Sequence, residues 1–426
     1  MNSGRYKWYV VLLLFSIGAL NYGDRTAISA VLPLIRADLH MSDVELAAIG
    51  SLFLWSYALA SPLAGYLADR LSRRRMIIWS LTAWSVVTAL TGIASTSHEL
   101  LFTRVLLGFA ECAYLPAAIA LIADHHHSAT RGTAVGLHTA GLNFGMVVGG
   151  TVAGFLGEHF GWRLGFFLLG GIGVALAALA GLTLRDADAP ASSPMLGAPD
   201  SPLSPSKSIA TLVRIPTYLI LVAEAMIVAL GTWIFLNWLP LYFKEAFNMS
   251  LAGAGFSGTF MLQVAAVTGT ALGGYISDRF AAEQPRRRLL LQAIFFVVSA
   301  PFLLLFLGKP PFAVVGSALF AFALSRGLGS ANESPMVCDL LPVRLRSTAL
   351  ALMNTTNCLA GGLGVLLAGY FMSQYGLGSI FALVSVLMVV SAALLFLGYF
   401  RFARRDLTAR SRAALEILHE LPEPRA

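Results

Sequence analysis

Charge is scarce in this chain. Asp, Glu, Lys and Arg make up 12% of its 426 residues, where a soluble domain carries roughly 25%. So few solvated groups cannot cover the apolar surface of a soluble fold this long, which excludes water as the main solvent. Cysteine is scarcer still. Cys112, Cys338 and Cys358 are odd in number, lie inside apolar stretches and match no metal spacing, so they read as packing residues. There is no Gly-x-x-x-x-Gly-Lys-Ser/Thr loop, which excludes ATP hydrolysis at such a loop as the driving force. His-Glu-x-x-His and Gly-x-Ser-x-Gly are missing too. No catalytic constellation remains, and the chain reads as a non-enzyme. The run His125-His126-His127 lacks tetrahedral ligand spacing. It is expected at a loop, with no metal site.

What is present is apolar. Hydrophobic residues make up 57% of the chain, with 40 glycines and a mean hydropathy of +0.75. Runs of about 20 or more apolar residues specify spanning helices, because in lipid the backbone must satisfy its own hydrogen bonds. Such runs fall at about 7–35, 45–69, 75–96, 99–124, 131–157 and 162–184. They resume at about 216–245, 251–278, 288–308, 311–340, 346–374 and 377–402. The predicted fold is all-α, with twelve transmembrane helices in two six-helix bundles, residues 1–184 and 216–403. Between them lies a polar cytoplasmic linker, 185–215, rich in proline and serine and a poor helix former. A cytoplasmic tail, 404–426, follows, with an amphipathic stretch over Thr408–Glu420. The first apolar run could imitate a signal peptide. Asp24 and Arg25 fall where cleavage would occur, however, and eleven similar runs follow.

The cations set the orientation. With both termini cytoplasmic, only Arg36, Arg163, Lys244 and Lys309 of the 29 Lys and Arg residues face outward. Arg25, Arg104 and Arg326 stay within the membrane, and all the others are cytoplasmic, as the positive-inside rule requires. The net charge of +7 is therefore topology and not a nucleic-acid footprint. No nucleic acid is expected as a partner; membrane lipid is.

The chain also repeats itself. Gly65-Tyr66-Leu67-Ala68-Asp69-Arg70, followed by Arg73, Arg74 and Arg75, returns as Gly274-Tyr275-Ile276-Ser277-Asp278-Arg279, followed by Arg286, Arg287 and Arg288. Asp124 and Arg131 return as Asp339 and Arg346 with the same spacing. Internal repeats with charged hinges mark a secondary transporter. The hinge resembles the loop motif of the major facilitator superfamily, and the resemblance covers residues 7 to 403. It implies two halves rocking about a central cavity, with Asp69, Arg70, Arg73, Asp278 and Arg279 latching one conformation. Topology alone also accounts for these arginines.

An ionisable group inside a span is costly, so each is a functional candidate. These are Asp24, Arg25, Arg104, Glu111, Glu224, Arg326 and Glu333. Glu111 lies midway along the fourth span. Arg104 is two turns away on the same face, about 10 Å nearer the outside. Asp24 and Arg25, in the outer half of the first span, reach the same depth. Two carboxylates and two guanidiniums then face one cavity. An arginine fork suits a carboxylate or phosphate, and a buried Glu suits reversible protonation. The bland alternative is static pairing that glues the first and fourth spans, with Arg104 a partner of Asp24.

Asn21-Tyr22-Gly23-Asp24-Arg25 resembles the first-span signature of the anion:cation symporter family. Arg104-Val-Leu-Leu-Gly108-Phe-Ala-Glu111 before Pro116 is similar to that family's fourth span, and Trp238-Leu239-Pro240-Leu241-Tyr242 to its seventh. Asn354 and Asn357 before Gly361-Gly362 add the eleventh. The resemblance implies proton-coupled movement of organic anions such as sugar acids. Its proton-coupling acids map to Asp24 and Glu111, its anion-binding arginine to Arg25, and its fourth-span arginine to Arg104. Tyr22, Asn237, Asn354 and Asn357 become substrate-contact candidates. Spinster-like lipid transporters also carry an Asn-Tyr-x-Asp-Arg run and an Arg-x-x-x-Gly-x-x-Glu helix. A lysophospholipid or other amphiphile is thus the alternative substrate.

A non-transporting membrane sensor is the alternative from another class. His138 is a possible proton relay or a packing residue. Glu224, Arg326 and Glu333 line the cavity or pair structurally. No cofactor beyond the coupling proton is expected. The protein is placed as a multi-pass, monomeric component of a bacterial plasma membrane.

Overall fold

The structure, a computed structural model, describes residues 3–68, 71–186, 205–308 and 310–410. The expected latch residues Asp69 and Arg70 lie outside them, as do Lys309, most of the linker and residues 411–426 of the tail. The first half forms α1 (Ser3–Leu39), α2 (Asp43–Ala68), α3 (Arg73–Thr91), α4 (Ser97–Glu111), α5 (Tyr114–His125), α6 (Ser128–Phe160) and α7 (Trp162–Thr183). Then come α8 (Pro205–Leu212), α9 (Pro216–Phe247), α10 (Leu251–Phe280), α11 (Arg287–Leu304), α12 (Phe312–Ser330), α13 (Glu333–Leu340) and α14 (Val343–Leu397). A π-helical turn, Gly398–Phe402, extends α14.

Among the described residues, nine stretches are long and apolar enough to cross a membrane. One of them, Leu345–Arg410, runs for 66 residues and turns at Gly376, where φ is 75°. That backbone conformation is open to glycine and strained for other residues. The stretch therefore supplies two spans. With α1 and α3, which the sequence also marks as spans, the helices are consistent with the twelve spans read from the sequence.

Two spans are broken near their middle. Pro116 is the third residue of α5, and Pro335 is the third residue of α13. A proline there gives no N–H to the turn before it, and its ring crowds the carbonyl four residues back. The breaks, at Cys112–Ala113 and Ala331–Asn332, are single loosened turns whose backbone stays right-handed helical, so the fourth and tenth spans each still run as one stretch, Ser97–His125 and Phe312–Leu340. The linker differs as well, because α8 occupies part of it. Ser208 and Leu212, one turn apart, are buried while the residues between them are exposed.

Contacts gather the chain into two units. Unit 1 comprises Met1–Ala198, Thr232–Gln263 and Cys358–Ile380; unit 2 comprises Pro199–Gly231, Val264–Asn357 and Phe381–Ala426. In unit 1, α1 and α6 run against each other at glycines. A Cβ on Gly149 would lie 2.3 Å from the Gly23 Cα, so only a bare backbone fits. Beside this contact Thr26 Oγ1 donates to the Met146 carbonyl at 2.8 Å. Segments of α9, α10 and α14 complete the unit. Ser51 Oγ donates to Gly362 O at 2.8 Å and Trp55 Nε1 to Leu359 O at 3.0 Å. Trp238 Nε1 donates to Val365 O at 3.2 Å.

In unit 2, α11 packs on α12 and α13. The Tyr218 hydroxyl donates to Ala349 O at 3.0 Å. Asp406 accepts from both the backbone N–H and the hydroxyl of Thr217, at 3.1 and 2.7 Å.

Candidate functional site

The site in unit 1 grows from three close helix contacts. The glycine seam between α1 and α6 places residues 21–26 against the bundle interior. Gly108 brings α4 so near α2 that a Cβ there would lie 2.6 Å from the Phe53 carbonyl oxygen. The break after Glu111 ends α4 with that carboxylate inside.

Arg25 is the centre. Its Nε donates to Glu111 Oε2 at 2.9 Å, and its Nη2 reaches the same oxygen at 2.8 Å. The guanidinium carbon lies 4.6 Å from the centre of the Tyr22 ring, 4.9 Å from Phe53 and 5.0 Å from Tyr57. The Arg25 side chain is 10% exposed and that of Glu111 is 0% exposed. An ion pair this dry stands only with good geometry and further contacts, and the three ring faces supply them.

Asp24 is turned away from this cage. Successive residues on a helix point about 100° apart, so Asp24 faces α3, where Thr88 Oγ1 donates to Oδ2 at 3.1 Å. Its Oδ1 is buried with no hydrogen bond among the described residues. Arg104 is also buried. Nη2 donates to Thr91 Oγ1 and the guanidinium lies 5.8 Å from the Phe166 ring, while Nε makes no bond among the described residues. Thr91 in turn donates to Thr103 at 3.2 Å. Arg104 thus engages α3 and α7, and no ion pair joins it to Asp24 within the described residues.

A cavity of about 560 Å³, open space at its mouth included, lies beside these groups. Arg25, Thr26, Ser29, Arg104 and Asn237 give its polar wall, against a larger apolar one that includes Phe53, Leu107, Met146 and Trp233. The two arginines line it, whereas Asp24 and Glu111 do not. The four charges expected to share one cavity are therefore split: cations at the wall, carboxylates behind them. Helix direction decides this. Asp24 and Arg25 cannot point the same way, and Glu111 is screened by the arginine it holds.

The other candidates are placed as follows. Tyr22 belongs to the cage and Asn237 to the cavity wall, where its Oδ1 lies against Gly50. Asn354 is exposed, Asn357 is half-buried, both belong to unit 2, and neither is among the residues that line the cavity. His138 is buried, with Nε2 3.0 Å from the Tyr114 hydroxyl, which donates to Leu14 O at 2.9 Å. That contact ties α1, α5 and α6 together. Glu224, Arg326 and Glu333 belong to unit 2.

The hinge repeat appears as matching bonds in each unit. Arg73 pairs with Asp124, and Arg288 pairs with Asp339 at 3.0 Å. Arg131 Nε donates to the carbonyl of His126 at 3.2 Å, and Arg346 Nε to that of Leu341 at 3.1 Å. Asp278 is held by Arg288 at 3.1 Å, and exposed Arg279 lies over the Tyr275 ring at 4.3 Å. Sequence reasoning missed Phe53, Thr88 and Thr91. The one trace of the threonines is a pair of hydroxyls three residues apart inside an apolar span. Nothing marked Phe53 among 27 phenylalanines.

Comparison with known proteins agrees with this architecture. A probable galactarate/D-glucarate transporter, GudP, of Escherichia coli is 28% identical over 300 residues, which is 64% of this chain and 66% of that protein. Protein spinster homolog 1 of Xenopus tropicalis is 28% identical over 85% of this chain and 72% of its own. Among solved structures, a bacterial homolog of the human lysosomal transporter Spinster, inward-facing and unoccupied, superposes with a TM-score of 0.80. That likeness spans 94% of this chain and 98% of the other at 22% identity, and it concerns the fold. The family profile for the Major Facilitator Superfamily matches residues 14–364 and 265–419. With twelve spans, a repeated hinge and that match, the chain belongs to the Major Facilitator Superfamily.

Proposed function

We propose that the protein is a proton-coupled secondary transporter of an organic anion, working by alternating access. The supporting observation is the Arg25–Glu111 pair at the cavity wall, a cation inside a span whose counter-ion is a fully buried carboxylate. An incoming carboxylate must take Glu111's place on Arg25. Glu111 can release the arginine only if its own charge is removed, because a bare carboxylate in that interior costs several kcal/mol. A proton on Glu111 therefore frees Arg25 for the substrate, and loss of the proton returns Glu111 to Arg25 and expels the anion. Asp24, held by the Thr88 hydroxyl, is the second proton-coupling acid of this reading. The likeness to the probable galactarate/D-glucarate transporter of Escherichia coli favours a sugar acid. With the arginine loops cytoplasmic, as the positive-inside rule has it, a proton gradient across a bacterial plasma membrane would drive uptake.

One observation favours a second reading. Most of the cavity lining is apolar, which suits the tail of a lysophospholipid whose phosphate sits on Arg25. Thermal stabilisation of the purified protein by sugar acids, simple carboxylates and lysophospholipids, at two pH values, separates the two. Stabilisation by a sugar acid, larger at the lower pH and lost in Arg25→Ala, is expected. Stabilisation by lysophospholipids alone would move the substrate to the amphiphile. Anion binding that survives Arg25→Ala would refute the role given to that residue.

A further inference from the structure

Unit 2 holds a second buried polar cluster that the site above does not use. Glu224 on α9 and Gln292 on α11 are both fully buried. One hydrogen bond joins them, from Gln292 Nε2 to Glu224 Oε1 at 3.1 Å. Each group has one further atom, and in each case it is without a partner among the described residues: Glu224 Oε2 and Gln292 Oε1. Both atoms are acceptors if Glu224 is ionised. The carboxylate would then hold a full charge inside a span on one neutral donor, a costly arrangement.

A single proton resolves both atoms together. Placed on Oε2, it makes the carboxyl a donor, and the free amide oxygen of the partner already bonded to it is the acceptor. The two side chains then form a ring of two hydrogen bonds, N–H to C=O and O–H to C=O. We propose that Glu224 and Gln292 form a proton-binding acid–amide pair, a second coupling site separate from Arg25 and Glu111.

The surroundings bear on how the proton is held. Half-buried Glu333, first residue of α13, and Arg326 on α12 are the other ionisable groups inside the spans of unit 2. Glu333 also begins the helix that restarts after the proline-induced break. Its neighbour Asn332 is fully buried, with Nδ2 on the carbonyls of Leu328 and Gly329 at 3.3 and 3.0 Å.

The test is infrared difference spectroscopy of the full-length protein in lipid nanodiscs, titrated with acid, with proton uptake measured in parallel. The wild type is expected to show the carbonyl stretch of a protonated carboxylic acid. Glu224→Gln, a neutral mimic that keeps one hydrogen bond to Gln292, should lose that band and take up one proton fewer. Gln292→Leu leaves Glu224 in place and should shift the band by removing its hydrogen bonds, which keeps the test open if Glu224→Gln folds poorly. Glu111→Gln should remove at most a separate band of its own and leave the one lost in Glu224→Gln intact, so failure here and failure of the Arg25–Glu111 reading are distinguishable. A band unchanged in both Glu224→Gln and Gln292→Leu, or one lost only in Glu111→Gln, would overturn the proposal.

Discussion

Replacing Arg25 with alanine strands the Glu111 carboxylate. In the native protein that side chain is fully buried and held by two contacts of 2.9 and 2.8 Å. Removing one member of a buried pair costs about 3–5 kcal/mol, most of it from the charge left uncompensated. The rings of Tyr22, Phe53 and Tyr57 lose their cation as well, at about 0.5–1 kcal/mol each. Adding Glu111→Gln removes the stranded charge but does not restore the ring contacts. The double variant should therefore be more stable than Arg25→Ala alone by about 2 kcal/mol. Acidification should do the same for the single variant by neutralising Glu111, and should leave the double variant unmoved. Tryptophan-fluorescence unfolding of the purified proteins, at neutral and acidic pH, reads these differences. A double variant that unfolds at or below the midpoint of Arg25→Ala would refute the claim that the pair, rather than lost packing, governs this site.

Other expectations follow from particular contacts. Thr88→Val removes the hydroxyl that donates to buried Asp24 and should cost about 1–3 kcal/mol in unfolding measurements, the penalty of an unsatisfied buried acceptor. Gly149→Val pushes α1 from α6 and should lower the folded, monodisperse fraction, with a loss of about 1–3 kcal/mol by overpacking. Arg288→Ala releases Asp278 and Asp339 together. Because these groups are partly exposed the loss should be about 1 kcal/mol or less, and it should shrink as salt is added to the unfolding assay. At the far end of α1, the hydrogen bond from Arg163 holds the Asp38 carboxyl below the usual range. A lowered value means stability present above the ordinary Asp value of about 3.9 and lost as the pH falls through the lowered one. Asp38→Asn should flatten that acid limb of a pH-dependent melting curve.

Much of this molecule was legible without coordinates. Span positions depend on the hydropathy of contiguous residues, a local property. The predicted boundaries of the second span, 45–69, and of the seventh, 216–245, end within a few residues of α2 and α9. The repeat was legible for the same reason, since Asp124 with Arg131 and Asp339 with Arg346 recur at one short spacing; in each unit the arginine caps a nearby carbonyl and the aspartate pairs with an arginine of the hinge. Arg25 and Glu111 were readable as buried charges because any charge in an apolar run stands out. The proline breaks before Pro116 and Pro335 were in principle local, yet the long apolar runs around them concealed the interruption.

Tertiary structure alone decided which charges meet. Arg25 and Glu111 are 86 residues apart, and their pairing depends on how closely α1 approaches α6 at Gly149 and α4 approaches α2 at Gly108. It also decided that Asp24, adjacent to Arg25 in the chain, bonds to Thr88 on another helix. Phe53 in the cage and Gln292 beside Glu224 were invisible in the sequence, one an ordinary apolar residue and the other a lone amide. Hydropathy places a side chain in the membrane, but the rotation of each helix about its axis determines its neighbours. That rotation is set by packing against helices distant in sequence.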